Sequence, residues 1–164
     1  MPSIFETSYY LCDSLSIVGQ WEQSKAIADK IGKYRLPDGS YGEDSSNLAS
    51  TYFALAVLAL AGASKEKRLE AYRYVTSRAV GSGGFTMAPG AGLAFMDETY
   101  YSIMTLELLG EKPENTAETI GFIADCQNEN GGFRRARASG ISTFETSYYA
   151  VESLGSLMKT WTTL

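Results

Sequence analysis

Apolar residues along the chain fall into seven helix-length segments of two kinds, and the two kinds alternate. Four segments are apolar around most of the helix: 5–18, 48–62, 96–109 and 143–160. Three segments carry only a narrow apolar stripe: 21–34 and the two that begin at Ser64 and near Pro113. A helix that is apolar all round is buried, whereas a one-sided helix faces water. The pattern predicts an all-α protein with an inner layer of helices inside an outer layer, and with consecutive helices antiparallel.

Related motifs open the broadly apolar segments, so the chain is an internal repeat. Gly131-Gly132-Phe133 leads to Ser147-Tyr148-Tyr149, and Gly83-Gly84-Phe85 leads to Thr99-Tyr100-Tyr101. The repeated tyrosine stands at positions 9, 52, 100 and 148, with spacings of 43, 48 and 48. Such self-similarity is typical of stacked helical units. We therefore predict one α/α repeat domain over residues 1–164. Its units span roughly 1–19, 20–62, 63–110 and 111–164.

Local signals predict where several helices begin and end. Glycine should end three of the helices, at Gly19, Gly62 and Gly110. Ser64 is the expected N-cap of the fourth helix. For the sixth helix, Asn115 with Glu118 three residues later forms a variant of the capping box.

Composition excludes several classes of function. The net charge is −5, so we expect no nucleic-acid footprint. The chain has no histidine, which removes the usual general base and the commonest metal ligand. Cys12 and Cys126 fit no metal or redox spacing and are interpreted as reduced core thiols. The N-terminus lacks the pattern of a secretory signal, and we predict a cytoplasmic protein. The apolar stretch Leu48–Ala63 is shorter than the roughly 20 residues that cross a bilayer, so no membrane span is expected.

The repeat resembles that of protein prenyltransferase beta subunits and squalene/terpene cyclases. The resemblance is carried by Asn130-Gly131-Gly132-Phe133 with Thr146-Ser147-Tyr148-Tyr149, and by Leu36-Pro37-Asp38-Gly39 with Thr51-Tyr52-Phe53. It implies an α/α toroid whose inner helices line an aromatic cavity that binds isoprenoid chains. Seven helices would make an incomplete, half barrel. We therefore expect a homo-oligomer or additional repeats from a longer chain, because each unit buries its apolar face only against a neighbour.

Two departures from the resemblance concern catalysis. The family's prenyltransferases hold zinc with Asp, Cys and His, and this chain has no histidine. We expect neither a metal site nor a cofactor. The cyclases use an Asp-x-Asp-Asp motif as proton donor, and the nearest match here is Phe95-Met96-Asp97-Glu98.

Candidate catalytic residues are the acids Asp97, Glu98 and Glu145, at the starts of two inner helices. Acids in the first turn of a helix also stabilise it through the helix dipole, and this structural interpretation competes with the functional one. A proton donor additionally needs a pKa raised by burial or by a like-charged neighbour. Asp97 beside Glu98 is the best placed for this.

Candidate ligand-binding residues are three arginines of one loop and three aromatic residues of inner helices. They are Arg134, Arg135, Arg137, Tyr101, Tyr149 and Phe53. Guanidinium groups suit phosphate oxygens, so the loop could clamp a diphosphate. The same arginines could instead pair with the acids or with solvent. Aromatic rings attract cations, including carbocations formed from prenyl groups.

Two functional hypotheses remain open. The first is a protein that binds an isoprenoid, such as a prenyl diphosphate, or another apolar small molecule; if it is an enzyme, it is a prenyltransferase- or cyclase-like one without the zinc site. The alternative is a non-catalytic repeat scaffold for protein–protein interaction or self-assembly.

Overall fold

A computed structural model describes residues 2–64, 68–138 and 140–159. The described residues form seven helices, and their only β-structure is a set of isolated bridges. The helices are α1 (Ile4–Ile17), α2 (Trp21–Gly32), α3 (Leu48–Leu60), α4 (Tyr72–Thr76), α5 (Met96–Leu109), α6 (Thr116–Asp125) and α7 (Phe144–Met158). The predicted all-α class is confirmed. The chain divides into two compact units, Met1–Val75 and Thr76–Leu164.

In the first unit, α1 packs against α2 and α3, and α2 packs against α3. Helix α3 is the most buried element. Its alanines and Val57 are small enough for neighbouring elements to pack closely, and Phe53 and Leu55 fill the core. Asn47 caps α3 by accepting the backbone N–H of Ser50. The prediction that 48–62 is a buried inner helix is confirmed.

In the second unit, α5 and α6 both pack against α7. Helix α5 buries residues on several sides, including Met96, Ile103, Leu106 and Leu109. It ends at Gly110, which adopts a left-handed conformation with φ of 71°. The prediction that 96–109 is an inner helix is confirmed as well.

Helices α1 and α7 differ from the expectation that every broadly apolar helix is buried on all sides. Each buries one face and exposes apolar residues on another. Phe144 at the start of α7 is 99% exposed, and Ile17 near the end of α1 is 79% exposed. Within the described part of the chain, no element covers these side chains.

Three local predictions are corrected. The fourth predicted helix is interrupted: Arg68 and Leu69 are helical, residues 70–71 form a turn, and α4 covers Tyr72–Thr76. Residues 65–67, which include the first turn that Ser64 would cap, lie outside the described residues. Asn115 is the N-cap residue of α6, but its side chain makes no capping bond. Its amide donates instead to the carbonyl of Val80, 2.7 Å away. The last helix ends at Met158 with Lys159 as its C-cap, and residues 160 and 161 of the predicted helix lie outside the described residues.

A capping box that the sequence reasoning missed starts α7. Thr143 and Thr146 bond reciprocally to each other's backbone N–H groups. This satisfies two amides that the first helical turn would otherwise leave unpaired. No described helix is long and apolar enough to span a lipid bilayer.

Candidate functional site

The glycine loops are tied to the inner helices by a hydrogen bond that occurs three times. The backbone N–H of the aromatic residue in each loop donates to a hydroxyl in the first turn of the next inner helix. The three pairs are Tyr41 to Thr51 at 3.2 Å, Phe85 to Thr99 at 2.9 Å and Phe133 to Ser147 at 3.0 Å. The repeated Thr or Ser before the tyrosine therefore has a structural role, which its constant position relative to the loop could have indicated.

The loop that carries the arginines also bonds to α5. The backbone N–H of Met96 donates to the carbonyl of Arg135 at 2.8 Å, while Thr146 in α7 donates its hydroxyl proton to the carbonyl of Phe133. These two bonds hold the loop between the N-termini of α5 and α7. The polar side chains at both helix starts are thereby brought to one place in the second unit.

A cleft of about 250 Å³ lies at this place. It is lined by Asp97, Tyr101, Arg135, Glu145, Thr146 and Tyr149. Five of the nine predicted site residues meet here: Asp97, Glu145, Arg135, Tyr101 and Tyr149. Thr146 was not predicted as a site residue; its position between Glu145 and Tyr149 on α7 is the only sequence signal for it.

Arg135 and Asp97 form a two-pronged ion pair on one side of the cleft. The guanidinium donates from Nε to Oδ1 of Asp97 at 3.0 Å and from Nη2 to Oδ2 at 2.9 Å. The hydrogen bond to Asp97 raises the pKa of Arg135. The guanidinium also lies over the ring of Phe95, 4.4 Å from its centroid. Arg135 is thus fixed in position, and its charge is neutralised within the cleft.

Two tyrosines and Glu145 form a hydrogen-bonded chain on the other side. The hydroxyl of Tyr149 donates to Glu145 at 3.0 Å and lies 3.1 Å from the hydroxyl of Tyr101. A phenol has one proton, so Tyr101 is the donor to Tyr149. Burial, followed by the bonds to Tyr101 and Glu145, raises the pKa of Tyr149 well above its usual value. Tyr149 therefore acts as a neutral donor, and its ring stacks on Tyr100 with centroids 4.5 Å apart.

Glu98, the third predicted acid, lies outside the cleft lining. Burial raises the pKa of its carboxyl, and the neighbouring charge of Asp97 raises it further. Arg135 and Arg78 act in the opposite direction. Glu98 therefore has the kind of pKa shift that a proton donor needs, but it does not line the cleft.

Arg134 and Arg137 are engaged away from the cleft. Arg134 donates to the carbonyls of Ala136 and Asp125 and to the side chain of Asn128, which closes its own loop. Arg137 pairs with the carboxylate of Asp125 at 3.0 Å and donates to the carbonyl of Ser82. The structure therefore does not gather the three arginines around one point, and only Arg135 lines the cleft.

Phe53 belongs to a separate aromatic cluster in the first unit. Its ring contacts Tyr9, Tyr10 and Tyr52, with centroids 5.2–6.4 Å apart. The arrangement corresponds to the tyrosine contacts of α5 and α7, where Tyr100 and Tyr101 meet Tyr149. Each unit thus pairs two inner helices through adjacent aromatic residues. Among the described residues, no three His, Cys, Asp or Glu side chains are grouped as a metal ion would require.

The sequence matches a known family in two consecutive segments. The family is described as the prenyltransferase alpha-alpha toroid domain, and the matches cover residues 3–93 and 93–164. A search of curated proteins gave no match. The two segments together span nearly the whole length of the chain. The chain therefore belongs to the prenyltransferase alpha-alpha toroid domain family.

Proposed function

We propose that the cleft in the second unit binds the polar end of an isoprenoid or of a similar apolar small molecule. The observation that carries this proposal is the convergence of Tyr101, Tyr149 and Arg135 with two carboxylates at the starts of α5 and α7. Tyrosine rings offer apolar faces to an unsaturated chain, while their hydroxyls and the ion pair offer polar contacts to a head group. Family membership supports the same class of ligand.

The size of the cleft decides which part of the ligand it accepts. Its volume of about 250 Å³ is below the 300–1,000 Å³ that is usual for small-molecule sites. A cleft of this size takes only part of a long prenyl diphosphate. The cleft therefore suits the head group and the first carbons of the chain.

The charge of the cleft determines how a diphosphate would bind. Arg135 is the only cation of the lining, and its Nε and Nη2 both donate to Asp97. A diphosphate must compete with Asp97 for the guanidinium, and Glu145 adds a second negative charge nearby. An anionic head group consequently binds more weakly here than it would at an arginine without a carboxylate partner.

Calorimetric titration with farnesyl diphosphate, farnesol and inorganic diphosphate tests this proposal. We expect farnesyl diphosphate to bind the wild-type protein more tightly than either of the other two ligands. Asp97→Asn should tighten farnesyl diphosphate binding by roughly tenfold, about 1.4 kcal/mol, because it frees the guanidinium. Asp97→Asn should leave farnesol binding unchanged. Arg135→Gln should weaken farnesyl diphosphate binding.

Lys30→Gln is the matched control, since it removes one exposed positive charge from α2 in the other unit. It should bind farnesyl diphosphate as the wild type does. No binding of any of the three ligands, or equal losses in R135Q and K30Q, would contradict the proposal.

A non-catalytic scaffold is the second candidate function, and exposed apolar residues favour it. Phe144, Val151 and Met158 on α7 all face solvent, with Phe144 99% exposed. Contiguous apolar surface of this kind commonly marks a site of protein association. Ligand binding and assembly use different residues, so one protein can do both.

A further inference from the structure

Helices α1 and α7 share a six-residue sequence in their first turns but bury opposite sides. The shared sequence is Phe-Glu-Thr-Ser-Tyr-Tyr, at Phe5–Tyr10 and Phe144–Tyr149. Residues in the two helices correspond at a constant separation along their whole length. Over the six identical residues, the difference in burial therefore comes from what surrounds each helix.

One side is covered in α1 and open in α7. In α1 it consists of Phe5, Tyr9 and Cys12, which face the elements that follow α1 in the chain. Phe5 is 2% exposed and meets the ring of Tyr34 at 5.5 Å, just after α2, while Tyr9 meets Phe53 of α3 at 5.6 Å. The counterparts in α7 are Phe144, Tyr148 and Val151, which are 99%, 54% and 58% exposed. We call these three residues the forward face of α7.

The other side is covered in α7 and open in α1. In α7 it consists of Ala150, Ser153 and Leu157, which are buried in a helix packed against α5 and α6, the elements that precede it. The counterparts at α1 are Leu11, Ser14 and Val18, and all three are exposed. We call these three residues the backward face of α1.

The glycine loops are open in the same direction as α7. A Cβ atom on Gly39 would lie 2.3 Å from the carbonyl oxygen of Glu70, and one on Gly83 would lie 1.9 Å from that of Glu118. Each of these loops is thus packed tightly against a later segment, beyond the inner helix that directly follows the loop. Gly131 holds the corresponding place in the third loop, with φ of 83°, and a Cβ there would meet nothing within 4 Å. Among the described residues, the side of the second unit that would meet a following element is therefore uncovered at both the loop and the helix.

We propose that the forward face of α7 binds the backward face of α1 in a second copy of this chain. The forward face carries three apolar or aromatic side chains and the backward face two, Leu11 and Val18, and both faces are exposed. The counterpart of the forward face in α1 is covered by later elements, and the counterpart of the backward face in α7 by earlier ones, so the two faces are open in opposite directions along the repeat. The two faces differ, so the contact is heterologous, and repeated copies form either a closed ring or an open chain. The proposal develops the scaffold function and does not depend on any ligand in the cleft.

Light scattering after size-exclusion chromatography, without ligand and over a dilution series, tests the proposal. We expect the wild-type protein to form oligomers that dissociate on dilution. Val151→Arg and Leu11→Arg should each give a monomer, because each places a charge in one half of the contact. Met87→Arg is the matched control, since Met87 is an exposed apolar residue outside both faces, and it should assemble as the wild type does. Circular dichroism melts confirm that each variant is folded, which is expected because Leu11 and Val151 are at least half exposed.

A mixing experiment distinguishes this contact from a symmetric one. Val151→Arg keeps an intact backward face, and Leu11→Arg keeps an intact forward face. An equal mixture of the two monomeric variants should therefore form a pair containing one copy of each, and nothing larger. A monomeric wild type, dissociation by only one of the two substitutions, dissociation by Met87→Arg, or a mixture that stays monomeric would each overturn the proposal.

Discussion

At the scale of single residues, two adjacent carboxyl groups have different surroundings. Asp97 gives both of its oxygens to the guanidinium of Arg135, whereas Glu98 is partly buried and next to the charge of Asp97. Burial and this like charge raise the pKa of Glu98. The two acids of the sequence motif are therefore not interchangeable.

The raised pKa of Glu98 predicts a pH-dependent effect on stability. The folded state holds the Glu98 proton more tightly than the unfolded chain, whose pKa is near 4.3. The stability that this proton contributes is present below that value and is lost as pH rises through the folded pKa. Glu98→Gln should therefore raise the free energy of unfolding at pH 7, by less than about 1 kcal/mol, and the gain should shrink towards pH 4.

Thermal melts of Glu98→Gln and the wild type at several pH values measure this gain. Glu114→Gln, at an exposed position, is the control and should show no such trend. An equal gain in the free energy of unfolding at pH 4 and pH 7 would mean that the surroundings do not raise the pKa of Glu98.

Residue types and spacing were enough to find most of the cleft. Asp97, Glu145, Tyr101 and Tyr149 were predicted because they recur at helix starts, and the structure places all four in the lining. The partners of the arginines were not predictable. Arg135 meets Asp97 across 38 residues, and Arg137 meets the carbonyl of Ser82 across 55. Three arginines within four positions look equivalent in the sequence, but the backbone of a tight loop points them in different directions.

At the scale of elements, the glycine loops and the helices fit together through close backbone contacts. Gly83 has φ of 102° and lies against the carbonyl of Glu118 in α6. Gly90 also has a positive φ, of 77°, but has open space at its Cβ position. Substitutions at the two glycines therefore distinguish the cost of the left-handed backbone conformation from the cost of a clash with the carbonyl of Glu118.

Gly83→Ala should destabilise the protein more than Gly90→Ala. A left-handed conformation costs an alanine roughly 1–2 kcal/mol at either position. At Gly83 the methyl group must also displace the carbonyl of Glu118, which adds about 1–3 kcal/mol. Urea unfolding of both variants measures the difference. Equal losses in the free energy of unfolding would show that the contact between Gly83 and α6 does not resist an added methyl group.

The helices were predicted well where a long segment of the sequence is apolar. They were predicted poorly where contacts with residues distant in the sequence decide how a helix begins. Helices α3 and α5 follow from their apolar composition, and Gly110 ends α5 as expected. Asn115 failed as a predicted cap because its amide serves the carbonyl of Val80, 35 residues earlier. Thr143 was missed because the cap it forms depends on Thr146, which occupies the position where Glu or Gln is usual.

At the scale of the whole molecule, the repeat explains both the fold and the surfaces left open. Each unit pairs two inner helices through adjacent aromatic residues, and family membership agrees with such an architecture. The alternation of apolar patterns predicted which helices are inner. The open faces of α1 and α7 follow instead from the expectation that each unit buries its apolar face only against a neighbour.

The central claim is that the cleft between the starts of α5 and α7 is where an isoprenoid head group binds. Amide hydrogen exchange of the protein with and without saturating farnesyl diphosphate tests this claim most directly, because it reports the location of the ligand. We predict slower exchange in the loop 133–136 and in the segments 96–101 and 144–149, with α2 unchanged. Exchange that is unaltered by the ligand, or protection confined to the first unit, would contradict it.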